Sequence, residues 1–144
     1  MNIKDLVNFS VANKDKYQKI TINELENSEV ENIKTHTNID LTGYKRVMDS
    51  SAINHVIKKH GTKRTEEPRG QIPVVNEDFE EIPKITQNYD VLEYGGLSNI
   101  ERHTLVFEKK KADKNYVYVE EVRTKRKEVA LQTLYICKNK KAND

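Results

Sequence analysis

The sequence contains 144 residues, of which 35% are hydrophobic and 33% are charged. This length is that of about one domain, and the regular spacing of the apolar residues favours a folded domain over a disordered tail. No apolar run approaches the roughly 20 residues that a membrane helix needs, so no membrane partner is expected. The single cysteine, Cys137, excludes an internal disulfide and a cysteine-based zinc site. The N-terminal residues lack a signal-peptide pattern, so a cytoplasmic location is expected.

The net charge of +2 is too small to indicate a nucleic-acid-binding protein, but the charges are unevenly distributed. Residues 109–127 contain eight basic and three acidic side chains. A locally basic region on a nearly neutral chain is typical of a surface that contacts phosphate at one place. A solvated charged face is the alternative explanation, and charge alone favours it.

The first half of the chain is predicted to be mainly helical, with two short strands. The clearest helix begins at a good N-cap within residues 49–51, and apolar residues recur at helical spacing until His60. Gly61 follows at a position where helices commonly end. Residues 26–38 show no clear pattern. The other elements predicted here are a helix near residues 3–13 and strands within residues 19–25 and 41–48.

The second half is predicted to form a helical region followed by three strands. Residues 62–71 are charged and contain proline and glycine, so a mobile loop is expected. A helix over residues 76–85 is expected to be interrupted by Pro83, and Gly95-Gly96 predicts a turn. Helices followed by an antiparallel meander indicate an α+β fold. Alternating residues predict the strands over 104–110, 116–123 and 131–138.

The candidates for chemistry are histidines and basic residues, because the sequence has no nucleotide-binding glycine loop, two-metal acid motif or Gly-x-Ser-x-Gly elbow. His55 and His60 are five residues apart, which places them about 140° apart around a helix. They therefore do not share a face, and joint metal binding is disfavoured. His60 falls in the apolar stripe, where it is either a buried core histidine or an acid–base group. His55 is either a surface residue or the acid–base group.

The last two strands carry the other candidates. Arg123, Lys125 and Lys127 fall in a cluster of positive charge whose mutual repulsion phosphate would relieve, and arginine offers a bidentate fork to phosphate oxygens. Thr133 and Tyr135 are expected on one face of the final strand, together with Leu131 and Cys137. Their hydroxyls either bind phosphate or satisfy neighbouring groups, and composition alone favours the second.

Five short motifs occur in order along residues 40–138. They are His55-x4-His60-Gly61, Arg69-Gly70-Gln71-Ile72-Pro73, Asp78-Phe79-x2-Ile82-Pro83, Val119-x-Glu121-Val122-Arg123-Thr124-Lys125-x-Lys127 and Ala130-Leu131-x-Thr133-x-Tyr135. Together they resemble the phage-associated nuclease domains of the barnase–EndoU–colicin–RelE (BECR) superfamily. The resemblance predicts a nuclease-like domain over residues 40–138, preceded by an N-terminal helix and strand in residues 1–39 and followed by a polar tail over 139–144.

The resemblance implies a barnase-like α+β fold, in which N-terminal helices pack on a twisted antiparallel sheet. It also implies metal-independent cleavage of RNA, with no cofactor. It further implies a toxin or effector module, RNA as partner, with tRNA as one possibility, and a cognate inhibitor or immunity protein. The rival interpretation is a non-catalytic module on the same fold that binds RNA or a phage or mobile-element protein. The RNA-binding module would use the same basic face, whereas the protein-contacting module would keep the fold without binding RNA.

The chemistry implied by the resemblance assigns roles to these residues. The 2′-hydroxyl of RNA attacks the adjacent phosphorus, so a proton must be removed from it and another given to the leaving oxygen. His60 or His55 is expected to move a proton, and a lysine, Glu121 or Tyr135 the other. Arg123 is expected to bind the scissile phosphate together with Lys125 or Lys127. Thr133 and Tyr135 are expected to orient this phosphate, and Arg69 is expected to contact RNA. All are expected to converge on one concave site.

Overall fold

The computed structural model describes residues 1–138, and the polar tail expected over 139–144 lies outside them. Its fold is α+β, as expected, with helices packed on an open, mostly antiparallel sheet. No helix of residues 1–138 is long and apolar enough to cross a membrane. The helices are α1 (Ile3–Ala12), α2 (Asn27–Thr37), α3 (Ser50–His60), α4 (Lys63–Glu66) and α5 (Ile82–Gln87), with 3₁₀ helices at Glu67–Arg69 and Asn76–Glu81. The strands are β1 (Lys19–Glu24), β2 (Lys45–Asp49), β3 (Gln71–Ile72), β4 (Val91–Leu97), β5 (His103–Lys111), β6 (Lys114–Arg123) and β7 (Glu128–Lys138).

The sheet order is β1-β2-β7-β6-β5-β4. The short strand β3 pairs with the C-terminal end of β7. The expected meander of the last three strands is confirmed, because β5, β6 and β7 pair antiparallel in sequence order. The sheet is not wholly antiparallel, since β2 runs parallel to β7. No hairpin joins these two strands. Their relative direction therefore depends on the long connection between them, which the alternation of side chains does not report.

The two helices with clear apolar spacing are confirmed. A capping box of Asn2 and Asp5 starts α1, which buries Leu6 and Val7. Asp49 precedes α3, which ends at Gly61 as expected and buries the residues of its apolar stripe. The predicted interruption at Pro83 is also confirmed. Residues 76–81 form a 3₁₀ helix, and α5 then begins with the proline in its first turn, where the missing amide hydrogen costs no helical bond.

Helix α2 occupies the region in which the sequence shows no clear pattern. Ile33 is the one side chain that this helix buries fully, so its apolar stripe is too narrow to indicate a helix. Its ends carry better signals. The Glu29 carboxylate accepts a hydrogen bond of 3.3 Å from the Glu26 amide, and Asn38 ends the helix in the left-handed conformation.

Gly95 and Gly96 lie inside β4, and the expected turn at this place is wrong. The connection to β5 comes later, over residues 98–102. A Cβ on Gly95 would lie 2.5 Å from Thr104 Oγ1, so glycine is required there by the close neighbouring strand. Gly96 has a φ of +86° and marks an irregularity in the β4–β5 register.

Residues 62–71 form ordered short elements rather than the expected loop. Thr62 caps α4, its hydroxyl accepting a hydrogen bond from the Thr65 amide at 3.3 Å. Gly70, with a φ of +68°, ends the following 3₁₀ helix and leads into β3. Glu66 is the one fully buried side chain of this segment, and it is itself charged. The segment therefore has no apolar pattern, and its charged composition resembles the composition of a loop.

A β-bulge in β7 changes which side chains share a face. Val119 pairs with Thr133 but Glu120 pairs with Leu131, so the register shifts at Gln132. Leu131 therefore joins Leu134 and Ile136 in the hydrophobic core, and its expected position beside Thr133 is wrong. The bulge has no signature in a strand that otherwise alternates regularly.

Arg46 is fully buried at the centre of a polar network inside the core. Its guanidinium donates hydrogen bonds to both carboxylate oxygens of Glu120 and a third, of 2.8 Å, to Glu29. The Tyr118 hydroxyl donates to Glu120 at 3.0 Å. The network joins β2, β6 and α2, and it places a charge pair where apolar side chains would otherwise pack.

Candidate active site

A cleft of about 470 Å³ collects most of the residues expected to perform chemistry. It lies between the C-terminal half of α3, the segment leading to β3, and β7. We call it the histidine cleft. Its lining residues are His55, Lys59, His60, Arg69, Gln71, Asn99, Gln132, Thr133 and Tyr135.

His60 is held in this cleft by a buried carboxylate. Its Nδ1 lies 2.7 Å from Oε1 of Glu66, and Glu66 is fully buried. When Nδ1 carries the hydrogen and donates to this carboxylate, Nε2 is the atom left to exchange a proton. A carboxylate partner also stabilises the imidazolium that forms when Nε2 accepts one. The pair therefore has the arrangement of an oriented acid–base group.

Tyr135 forms the next wall of the cleft. Its ring stacks on His60 with centroids 5.6 Å apart. Burial raises the pKa of its hydroxyl, and the charges of Cys137 and Glu108 raise it further. Tyr135 therefore stays protonated at neutral pH and presents a hydrogen-bond donor.

The structure brings His55, His60, Arg69, Thr133 and Tyr135 into one cleft. The helical spacing correctly separates the two histidines, since His60 is 6% exposed and His55 is an exposed side chain. His55 and His60 nevertheless both line the cleft, because the cleft extends around more than one face of the C-terminal half of α3. Thr133 and Tyr135 reach it from the sheet face opposite Leu134.

Gln71 lines this cleft and Glu66 supports it through His60, although no role was expected for either residue. Both lie in the segment expected to be a loop, where a carboxylate or an amide has no periodicity to mark it. Each also has one buried side-chain oxygen without a hydrogen-bond partner among residues 1–138, namely Glu66 Oε2 and Gln71 Oε1. Thr62, which caps the short helix α4 that ends at Glu66, is the residue from which this local structure could have been predicted.

A second cleft, of about 860 Å³, contains Arg123 and Lys125. We call it the arginine cleft. Lys127 lines neither cleft, so the expected convergence of all these residues on one concave site is wrong. Val119 on β6 pairs with Thr133, which lines the histidine cleft. Arg123 lies four residues further along β6, which is a backbone distance of ~14 Å from Val119. The lining residues are Tyr17, Asp49, Ser51, Glu101, Arg102, His103, Val122, Arg123, Thr124, Lys125 and Arg126.

Arg123 is surrounded by carboxylates. It donates hydrogen bonds to Asp49 and, at 3.0 Å, to Glu121, and it lies 3.7 Å from Glu128. Burial alone would lower the pKa of this guanidinium, but Asp49 and Glu121 outweigh burial and raise the pKa above its usual value. Two of its three guanidinium nitrogens thus donate hydrogen bonds within the protein, and the side chain joins β6 to Asp49, which precedes α3.

Replacing Arg123 with alanine is expected to destabilise the fold by about 1–3 kcal/mol, because buried carboxylates lose their partner. Urea unfolding measures this change, and Arg123→Lys should recover part of it. Unchanged stability combined with a loss of turnover would instead indicate that Arg123 contacts the substrate, as the sequence analysis expected.

Comparison with known families decides the class of protein. The family model described as phage-Barnase-EndoU-ColicinE5/D-RelE like nuclease3 (PBECR3) matches residues 24–144. The chain belongs to the PBECR3 family. The resemblance seen in the five motifs is thereby confirmed, and the PBECR3 match begins before the first of them. Nucleic acid is the substrate class that membership of this nuclease family implies.

Neither a curated protein nor a solved structure matches the chain significantly. Residues 1–138 contain no group of three or more histidine, cysteine, aspartate or glutamate side chains arranged to hold a metal ion.

Proposed function

We propose that this PBECR3 domain is a metal-independent endoribonuclease whose active site is the histidine cleft. The observation that carries the proposal is the buried His60–Glu66 pair, 2.7 Å apart, in a cleft whose other side chains are cations, amides and hydroxyls. The RNA specificity is inferred from the chemistry that such groups can perform without a metal.

In the proposed reaction the 2′-hydroxyl attacks the adjacent phosphorus, and the bond to the 5′-oxygen breaks. His60 Nε2 accepts the hydroxyl proton, and Glu66 stabilises the resulting imidazolium. His55, which lines the same cleft, gives a proton to the leaving oxygen. The products are a 2′,3′-cyclic phosphate and a 5′-hydroxyl, so every proton and bond is accounted for.

The remaining cleft residues fit the charge that develops on phosphorus. Arg69 and Lys59 supply positive charge, and arginine can bind two phosphate oxygens at once. The Thr133 and Tyr135 hydroxyls can donate hydrogen bonds to the same group. Such donors contribute most when they are positioned before the reaction begins.

The biological setting follows the resemblance. We place the domain as a toxin or effector that acts in a cytosol, where RNA, including tRNA, is accessible. Under this proposal a cognate inhibitor or immunity protein would bind over the histidine cleft, because blocking the His60–Glu66 pair stops the reaction.

RNA cleavage is expected to persist in EDTA and to stop when the cleaved nucleotide lacks its 2′-hydroxyl. Incubation with total RNA, followed by mapping of the product ends, measures both and should detect cyclic phosphate. A 2′-deoxy substitution one nucleotide further along the strand is the control and should leave cleavage unchanged.

Intact RNA at micromolar protein in EDTA would contradict the proposal. If that RNA were nevertheless bound with salt-sensitive affinity, the non-catalytic RNA-binding interpretation would replace it. Absence of both cleavage and binding would favour a module that contacts a protein.

A further inference from the structure

The two clefts are neighbours along α3. Ser51 lines the arginine cleft, while His55 and Lys59 line the histidine cleft. These residues follow each other at four-residue spacing, so they lie on one helix face over ~12 Å. The β4–β5 connection borders both clefts as well, through Asn99 on one side and Arg102 on the other.

The arginine cleft has a neutralised interior. Arg123, Asp49 and Glu121 satisfy one another there, and Glu128 also pairs with Lys19 at 2.9 Å. These carboxylates are therefore compensated by cations of the protein itself. An anion entering the cleft does not meet a free negative interior.

The rim of this cleft is positive. Lys125 and Arg126 are exposed, and no carboxylate of residues 1–138 lies within ion-pair distance of either. Arg102 adds a third cation, which shares its charge with Glu121 at 2.9 Å. Glu101 is the one exposed acid among the lining residues. Unpaired cations at the mouth of a cleft attract anions with little desolvation cost.

His103 lines the same cleft and forms an aromatic pair with Tyr94, which lies outside the lining. The Tyr94 hydroxyl and His103 Nδ1 are 2.8 Å apart, and both side chains are exposed. Their rings lie 5.6 Å apart at the start of β5. Aromatic faces beside a positive groove are the combination on which single-stranded nucleic acid binds, with bases stacked and phosphates paired to cations.

We propose that the arginine cleft is a backbone-binding subsite for the single RNA strand that flanks the scissile phosphate. It holds phosphates a few nucleotides away from the reacting one, through Lys125 and Arg126. This inference rests on the proposed ribonuclease function for its ligand. It assigns the strand path, which runs along the α3 face from the histidine cleft to the arginine cleft.

The test measures binding of 2′-O-methyl RNA, which has no 2′-hydroxyl to react. A dinucleotide and a decanucleotide of the same composition serve as probes. The variant Lys125→Ala/Arg126→Ala should bind the decanucleotide about tenfold or more weakly at ~0.1 M salt, with the salt dependence reduced by ~1.4 logarithmic units per decade. The dinucleotide is too short to span both clefts, so its affinity should not change.

The matched control is Lys34→Ala/Lys110→Ala, which removes two exposed charges outside both clefts. It should leave decanucleotide binding within about twofold of wild type, since contacts rather than net charge carry the effect. Equal losses from the two double variants would overturn the inference, as would equal losses for the two probes. If RNA is never cleaved but the cleft variant alone weakens decanucleotide binding, the subsite stands and the ribonuclease proposal fails.

Discussion

Replacing His60 with asparagine is expected to lower kcat for RNA cleavage by about 10²–10⁴-fold, because the proposed general acid–base group is lost. Asparagine is chosen because its amide can still donate to Glu66, which limits the cost of leaving that buried carboxylate unpaired. Single-turnover cleavage of a labelled RNA measures the change, and a thermal unfolding curve verifies that the variant is folded.

Glu66→Gln is the companion variant and tests whether Glu66 acts through His60. It should lower kcat by less than His60→Asn does and leave KM unchanged, since the carboxylate would stabilise the imidazolium only while the proton is transferred. A merely structural role for Glu66 would lower stability without lowering kcat of the folded variant. His55→Ala tests the proposed second proton carrier in the same assay. Wild-type rates in folded His60→Asn protein would remove the histidine cleft from consideration as the active site.

Replacing Arg46 with methionine is expected to destabilise the protein by about 3–5 kcal/mol, which is the usual effect of leaving a buried charge unpaired. Burial alone would lower the pKa of Arg46, but Glu120 and Glu29 raise the pKa above its usual value, so the arginine is charged in the fold. Without it, the carboxylate of Glu120 remains inside the core. Denaturant unfolding measures the loss.

The double variant Arg46→Met/Glu120→Met separates charge from packing. Replacing both partners with apolar groups of similar size removes the unpaired charge, so part of the stability should return. Lys111→Met is the control, because Lys111 forms an exposed ion pair with Glu81 and should cost at most about 1 kcal/mol. If the double variant is no more stable than Arg46→Met, the unpaired carboxylate is not the cause of the loss.

Local patterns were sufficient for much of the fold. The apolar spacing of α1 and α3, the capping residue before α3 and the alternation in β5 to β7 each depend on neighbours in the sequence. Helix α2 has no such pattern, because Ile33 is the one side chain that this helix buries completely. The turn predicted at Gly95-Gly96 is wrong because the close approach of Thr104, on the next strand, is what requires a glycine.

The candidate site was predictable to a smaller extent. The residue types and the order of the motifs indicated His60, Thr133 and Tyr135, which the structure then places in one cleft. Sequence patterns did not indicate Glu66, because the residue is linked to the cleft only by its buried contact with His60, six residues earlier. Glu66 also lies in a segment whose composition predicts a loop. The separation of Arg123 from the histidines was likewise hidden, since it depends on where strands end in the sheet.

The sequence by itself determined the fold class, the principal helices, the final meander and the family of this protein, because these depend on local periodicity and on motifs in a given order. Only the tertiary structure decided the parallel pairing of β2 with β7, the bulge at Gln132 and the division of the charged residues between two clefts. Those features depend on contacts between residues far apart in the chain, whose geometry is set by packing and by the competition of carboxylates for the same guanidinium.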